Sequence, residues 1–377
     1  MISFESFISK LHSFSWFREL LKRVRDAKLE GKAITDIYIR EGYEVYYGIL
    51  KTMFPEPVKN LDQFTEKISG KDIRDLVDLL LEIRRGQLRA KENSIALTKP
   101  VFSFSIMIDR FGVLRITYSR SMNGDVLAVR LLDFTIPTMQ EVGLSAEYTQ
   151  FLMSLLKPIT LVPLFKEGMS VRTNIVSRGG LIIHCGATGS GKTTSMAAQI
   201  DFLSKNIGGM IITYEDPVEY VFIGRANVLQ YELGEHLTED DIYDHFLRAT
   251  AQVGLVGEAR KIENMAKIVD LASRGHLIYT TMHAGSVVEA LYILKNAMRE
   301  NLPLLAGTLT AITHQRLEYR EGKIKPVYTH LLFRDTDQVS QIRKLIEEDK
   351  GYQDFVNFFV NNSALLKQQK VLLTQSL

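Results

Sequence analysis

The chain has 377 residues, 46% of them hydrophobic and 24% charged, and a formal net charge of +2. That length exceeds what one hydrophobic core ordinarily organises and predicts two domains, while the near-neutral charge leaves no general electrostatic footprint for nucleic acid. A single cysteine, Cys185, excludes an internal disulfide and any multi-cysteine zinc site.

At the start, Phe4, Phe7, Leu11, Phe14, Phe17, Leu21 and Val24 recur at helical spacing and predict an amphipathic helix within residues 1–33. Glu5, Lys10 and His12 interrupt the apolar stretch that a cleaved signal would need, and no run of about 18 apolar residues offers a membrane-spanning helix. The aromatic stripe has two readings: packing on its own domain, or docking to a membrane-bound partner or a bilayer surface. Residues 34–48 read as a strand pair and residues 73–87 as a helix. Runs 102–108 and 113–118, then the turn Asn123-Gly124-Asp125 leading into 126–132, carry a hairpin signature. Residues 34–155 therefore read as a small α+β domain that ends in a helix near 147–156, with 156–178 a linker.

From Gly179 the pattern changes. Strands at 181–185, 210–214, 254–256 and 276–282 alternate with helices at 193–204, 238–249, 261–273 and 287–298. Such alternation predicts an α/β domain over 179–350, with a parallel sheet covered on both faces. A tail at 351–377, with Phe355, Val356, Phe358, Phe359 and Val360 clustered, is expected to be helical and either packs on this domain or docks to a partner.

Between the first strand and first helix of that domain stands Gly186-Ala187-Thr188-Gly189-Ser190-Gly191-Lys192-Thr193, a complete G-x-x-x-x-G-K-T loop followed by Thr194. Its glycines permit backbone geometry that aims several N–H groups at a phosphate, and the helix adds its positive end. Lys192 can reach the β- and γ-phosphates, and the Thr193 hydroxyl is placed to hold Mg²⁺. The chain is thus expected to bind a nucleoside triphosphate. Two later strands end in acids: Thr213-Tyr214-Glu215-Asp216-Pro217-Val218-Glu219 and Gly254-Leu255-Val256-Gly257-Glu258-Ala259-Arg260. Hydrolysis needs one carboxylate to orient or deprotonate water and another in the Mg²⁺ shell, although acids at strand ends are also ordinary turn and cap residues.

These segments, followed by Gly275-His276-Leu277-Ile278-Tyr279-Thr280-Thr281-Met282-His283, resemble the boxes of the secretion-ATPase superfamily, the hexameric motors of type II and type IV secretion and type IV pili. The resemblance runs from about Ile34 to Lys350. It implies a C-terminal RecA-like P-loop ATPase domain and a smaller N-terminal α+β, PAS-like domain. It further implies that ATP and Mg²⁺ are the cofactors, that Glu215 activates water, that Glu258 serves the magnesium shell, and that His283 senses the γ-phosphate. His276 is open to a core reading as well. In the first domain Arg115-Ile116-Thr117, Gly124-Asp125 and Arg130-Leu131-Leu132-Asp133 are similar to a family pattern whose arginines reach the ATP of a neighbouring subunit, which makes Arg115 and Arg130 candidates ahead of Arg120.

The chain departs from the family at Thr250-Ala251-Gln252 and at Lys261, which bears on subunit contacts rather than hydrolysis. Lack of a four-cysteine zinc site sets it apart from the assembly ATPases. Tyr214, Glu219-Tyr220-Val221-Phe222 and Gly257-Glu258-Ala259-Arg260 look like Dot/Icm-type and conjugation ATPases, whereas Gln341-Ile342-Arg343-Lys344-Leu345-Ile346 resembles a helix of pilus retraction motors. The balance favours type IVB secretion or conjugation, with a pilus retraction motor as the alternative. The expected molecule is a cytoplasmic homo-hexameric ATPase recruited to the inner membrane of a bacterium by secretion or pilus machinery, with no direct nucleic-acid partner. A hexameric helicase and a slowly hydrolysing nucleotide switch are the alternatives from other classes.

Overall fold

The computed structural model describes residues 1–29, 36–43, 45–48, 68–88, 101–132, 135–161, 171–233, 237–258, 262–320, 323–333, 337–348 and 350–369. They divide into two compact units, Met1–Thr135 and Ile136–Leu377. Among the described residues no helix is long and apolar enough to cross a membrane.

In the first unit a six-stranded sheet has the order Ile2–Ser3, Val101–Asp109, Gly112–Ser121, Gly124–Leu132, Asp36–Arg40, Tyr46–Gly48. Neighbours are antiparallel, apart from Ile2–Ser3, which joins its edge in parallel. The two-residue alternation sends Phe104, Ile106, Leu114, Ile116, Leu127 and Val129 to one face, where all are buried. Helices Phe4–Lys10, Ser15–Leu29 and Gly70–Leu88 close that face with Phe7, Leu11, Phe17, Leu21, Ile73, Val77 and Leu80. Burial stabilises apolar side chains of this size by about 1.5–3 kcal/mol each.

The N-terminal aromatic stripe is therefore core and not a docking face: Phe4, Phe7, Leu11, Phe17, Leu21 and Val24 are buried, and Phe14 packs beside them. It is carried on two helices rather than the single expected one, with the break at residues 11–14.

The first unit also ends earlier than the expected boundary at 155. Helix Ala146–Ser154 gives Tyr148, Phe151 and Leu152 to the core of the second unit, against Met196, Ile200 and Leu203 of helix Lys192–Asn206. Its apolar face finds its partner downstream, which is why local spacing misplaced the division. The expected linker holds an antiparallel pair, Leu156–Leu161 with Val171–Val176.

The second unit is built on an eight-stranded sheet in the order Val228–Glu232, Ile211–Glu215, Val253–Glu258, Leu277–Met282, Gly180–Cys185, Leu309–Arg320, Lys323–Leu332, Leu366–Gln369. The first six run parallel and the last two pair antiparallel. Gly180–Cys185 is buried throughout, with Leu181 and Ile183 facing one helical layer and Ile182 the other. Both faces are covered, as the alternation predicts. The outer strand Val228–Glu232, the hairpin Leu309–Leu332 and the edge strand Leu366–Gln369 fall outside the expected strands. The tail packs: helix Tyr352–Asn361 buries Phe355 and Phe359, with Phe355 5.8 Å from the Tyr292 ring. Beyond that helix a 3-10 turn at Ser363–Leu365 leads into the strand Leu366–Gln369, where a helix was expected, and residues 370–377 lie outside the described residues.

Candidate active site

Strand Gly180–Cys185 delivers the chain to the Gly186–Thr193 loop at the carboxyl edge of the sheet. Gly186, Gly189 and Gly191 take φ values of 148°, 75° and 86°, a region that only glycine enters without strain. Gly191 is the N-cap of helix Lys192–Asn206, so the free N–H groups of the first turn open toward the loop. Lys192 is buried, and its Nζ donates to the carbonyls of Gly186 and Ala187 at 2.8 and 2.9 Å. The ammonium is thus held at the loop mouth. Thr193 and Thr194 follow, half-buried, with Thr194 Oγ1 2.9 Å from the Tyr220 hydroxyl. Thr188 and Gly189 are exposed, while Ser190 is buried.

Parallel register places the acids at the same edge. Glu215 ends its strand beside Gly257, whose Cα hydrogen points at the Tyr214 carbonyl: a Cβ there would stand 3.3 Å from that oxygen. Burial pushes the Glu215 carboxyl up to about 7; hydrogen bonds from Thr213 at 2.7 Å and Gln230 at 3.4 Å oppose this, and the Glu219 carboxylate adds to it. A carboxyl poised near neutrality and shielded from water is suited to general-base work. Glu258 ends the adjacent strand opposite Thr281, and its side chain lies outside the described residues, as do Asp133, Ala259, Arg260 and Lys261 altogether. Met282 pairs with Cys185, so His283 follows its strand level with the loop and is exposed. His276 lies at the opposite edge, its Nδ1 2.8 Å from the Ala251 carbonyl and its ring against Phe246, which is the core reading.

A buried polar layer supports the loop from behind. His184 Nε2 lies 3.0 Å from Gln199 Nε2, and burial pushes the imidazole down to about 3, so the neutral ring accepts from the amide. The Tyr148 hydroxyl donates to Gln199 Oε1 at 3.1 Å; Ser195 Oγ lies 2.8 Å from the Tyr328 hydroxyl, which donates to the Val142 carbonyl at 2.6 Å. Cys185 is buried and its thiol is pushed up to about 12 by that burial, an inert packing residue. Sequence reasoning missed His314 and Gln315, which the hairpin strand brings alongside Cys185 and Gly186. Burial, then the Arg316 cation, holds His314 below the ordinary imidazole range.

In the first unit Arg115 and Arg130 are direct cross-strand neighbours, on the face away from the core, and Arg130 Nε donates to Asp36 Oδ1 at 2.8 Å. Arg120 is instead 3.6 Å from buried Asp125, which also binds Arg74 and the Tyr118 hydroxyl. Arg120, largely exposed, is thus tied to the charges of its own turn.

A phosphate loop at the carboxyl edge of a parallel sheet, with carboxylates ending the strands beside it, defines a P-loop ATPase. The chain belongs to the type II/IV secretion system protein family, whose pattern matches residues 121–331. It is 30% identical to the uncharacterized protein YggR of Escherichia coli K12 over 281 residues, 72% of this chain and 77% of that one. It is 33% identical to the type IV pilus ATPase PilU of Pseudomonas aeruginosa over 50% of this chain and 44% of PilU. The chain thus spans about half the length of that pilus relative. Two solved structures share the fold: the pilus retraction motor PilT with bound ADP (TM-score 0.68, 24% identity, 90% of this chain and 89% of that one) and the Legionella pneumophila ATPase DotB (TM-score 0.65, 17% identity, 94% and 89%).

Proposed function

We propose that the chain is the ATP-hydrolysing subunit of a homo-hexameric ring that powers a type IVB, effector or conjugation, secretion machine at the bacterial inner membrane. The observation that carries the hydrolytic part of this reading is the gathering of the Lys192, Glu215, Glu258 and His283 positions at one sheet edge, with Glu215 raised toward neutrality. The choice of secretion machine rests on the resemblance of Tyr214 and residues 219–222 and 257–260 to Dot/Icm-type ATPases. Lys192 and the loop N–H groups bind the phosphates, Glu215 takes a proton from the attacking water, and His283 contacts the terminal phosphate. Mg²⁺ would supply charge neutralisation there, with the Thr193 hydroxyl and the Glu258 carboxylate as the groups that would hold it. Arg115 and Arg130 of a neighbouring subunit complete the site, so turnover depends on ring arrangement. Differential affinity of open and closed forms for ATP and ADP drives the domain motion. Phosphate release is the test: Lys192→Ala and Glu258→Ala each abolish turnover at ring-forming concentration, and wild-type rates in either would overturn the assignment.

A pilus retraction motor is the second reading, favoured by the PilU match and a 31% identical region shared with PilT of Pseudomonas aeruginosa. Deleting the gene in its host and scoring both cell-to-cell transfer and pilus retraction separates the two. Loss of transfer with retraction intact supports secretion.

A further inference from the structure

Gln315 sits where the antiparallel hairpin meets the phosphate loop. His314 pairs with Cys185, which brings Gln315 level with Gly186, the first loop residue. A Cβ at Gly186 would stand 2.3 Å from the Gln315 carbonyl oxygen, and one at Gly191 would stand 2.8 Å from Gln315 Nε2. Gly186 therefore owes its identity to the Gln315 backbone as well as to φ, and at Gly191 the absence of a Cβ leaves room for the Gln315 amide. The residue is 2% exposed, and its Oε1 has no hydrogen-bond partner among the described residues. Ser190 Oγ, in the loop, is likewise buried without one. Packing alone does not call for a primary amide here, because an apolar side chain of the same shape would fill the space without leaving a polar atom unsatisfied.

We propose that Gln315 is a phosphate-contacting residue: its Nε2, beside Gly191 at the helix N-terminus, donates a hydrogen bond to a β-phosphate oxygen of the bound nucleotide. The inference rests on the loop being the phosphate site. The contact involves a non-bridging oxygen present in both ADP and ATP and absent from AMP. It joins the nucleotide to the strand Leu309–Arg320, which is continuous with the hairpin, so that a bound phosphate is felt beyond the loop itself.

The test uses the full chain and titrates ADP, ATP and AMP by calorimetry. Gln315→Met keeps the side chain's length and shape without the donor, and Gln315→Glu replaces the donor with a carboxylate that repels phosphate. Each is expected to weaken ADP and ATP by about tenfold or more, the size of one charge-assisted hydrogen bond, and to leave AMP unchanged. Gln315→Met should also leave the nucleotide-free melting temperature at or above wild type, which a packing role would not. ADP affinities within twofold of wild type in both variants would overturn the proposal. Lys192→Ala is the control: if it loses ADP while the Gln315 variants keep it, this proposal alone fails, and if it keeps ADP the loop assignment fails too. Should the variants not fold, an ADP-bound crystal structure decides: Nε2 within about 3.2 Å of a β-phosphate oxygen supports the contact, and a separation beyond hydrogen-bond range removes it.

Discussion

Arg115 and Arg130 stand directly opposite one another on adjacent antiparallel strands, and Arg130 Nε donates to Asp36 Oδ1 on the next strand at 2.8 Å. Like charges so placed destabilise a sheet by a few tenths of a kcal/mol to about 1 kcal/mol. Asp36 offsets part of that cost at Arg130, and the role proposed for the pair lies outside the sheet. Arg115→Gln is expected to leave stability to denaturant unchanged or raised by less than about 1 kcal/mol, while turnover of the assembled ring falls about a hundredfold or more. A variant with wild-type turnover would make Arg115 an ordinary surface residue.

Lys192 and Thr193 are expected to separate phosphate binding from metal use. Lys192→Ala loses the ammonium held over the loop carbonyls and weakens ATP and ADP alike, by about tenfold or more. Thr193→Ala should bind nucleotide in EDTA as the wild type does, yet lose most of the gain in affinity that Mg²⁺ confers. Titration with and without the metal reads both effects.

Glu215 ties both activity and stability to pH. As the proposed general base it must be ionised, so turnover is expected to rise with pH through about 7 and to be lost in Glu215→Gln. For stability the sign is opposite. Burial raises the folded carboxyl from 4.5 to about 7, so the fold prefers the protonated form. The stability that this preference confers is fully present below 4.5, declines as the pH rises through about 7, and stays lost above it. On that basis Glu215→Gln is expected to exceed the wild type in stability at pH 8, by on the order of 3 kcal/mol at most, and to match it near pH 4. Urea melts at the two pH values check this; equal differences at both would refute it.

Gln199 holds the layer beneath the loop. Its side chain meets His184 at 3.0 Å and Tyr148 at 3.1 Å in a fully buried setting. Gln199→Ala strands both partners without water and leaves a cavity, which is expected to cost about 2–4 kcal/mol. Nucleotide affinity should weaken less than in Lys192→Ala, because the loop's own donors remain. Denaturant melts and an ADP titration measure the two effects.

Legibility in the sequence followed how local each feature is. The strand before the phosphate loop is a continuous apolar run because the sheet buries it on both faces, and its pattern could be read directly. Val228–Glu232 is mostly half-buried at an outer edge, and Lys323–Leu332 contains Pro326, which argues against a strand on local grounds. Both are strands because a neighbouring strand offers them hydrogen bonds, Ile211–Glu215 to the first and Leu309–Arg320 to the second, which their own side-chain pattern does not show. Helix Ala146–Ser154 was visible as a helix, but the owner of its buried face was not. His276 and His283 look alike in sequence and differ in space, since they stand at opposite ends of one strand.

By itself the sequence determined the phosphate chemistry: a G-x-x-x-x-G-K-T run between a buried strand and a helix needs only local backbone geometry to become a phosphate cradle. It also set the order of the acids behind that loop, because each closes a strand whose pattern is local. Only the tertiary structure decided what surrounds them. The rise of the Glu215 carboxyl depends on exclusion of water by remote segments, the adjacency of Arg115 and Arg130 on cross-strand register, and the seat of Gln315 on a hairpin pairing more than 100 residues from the loop it touches. Register and desolvation are properties of pairs of segments, and no single stretch of chain encodes either.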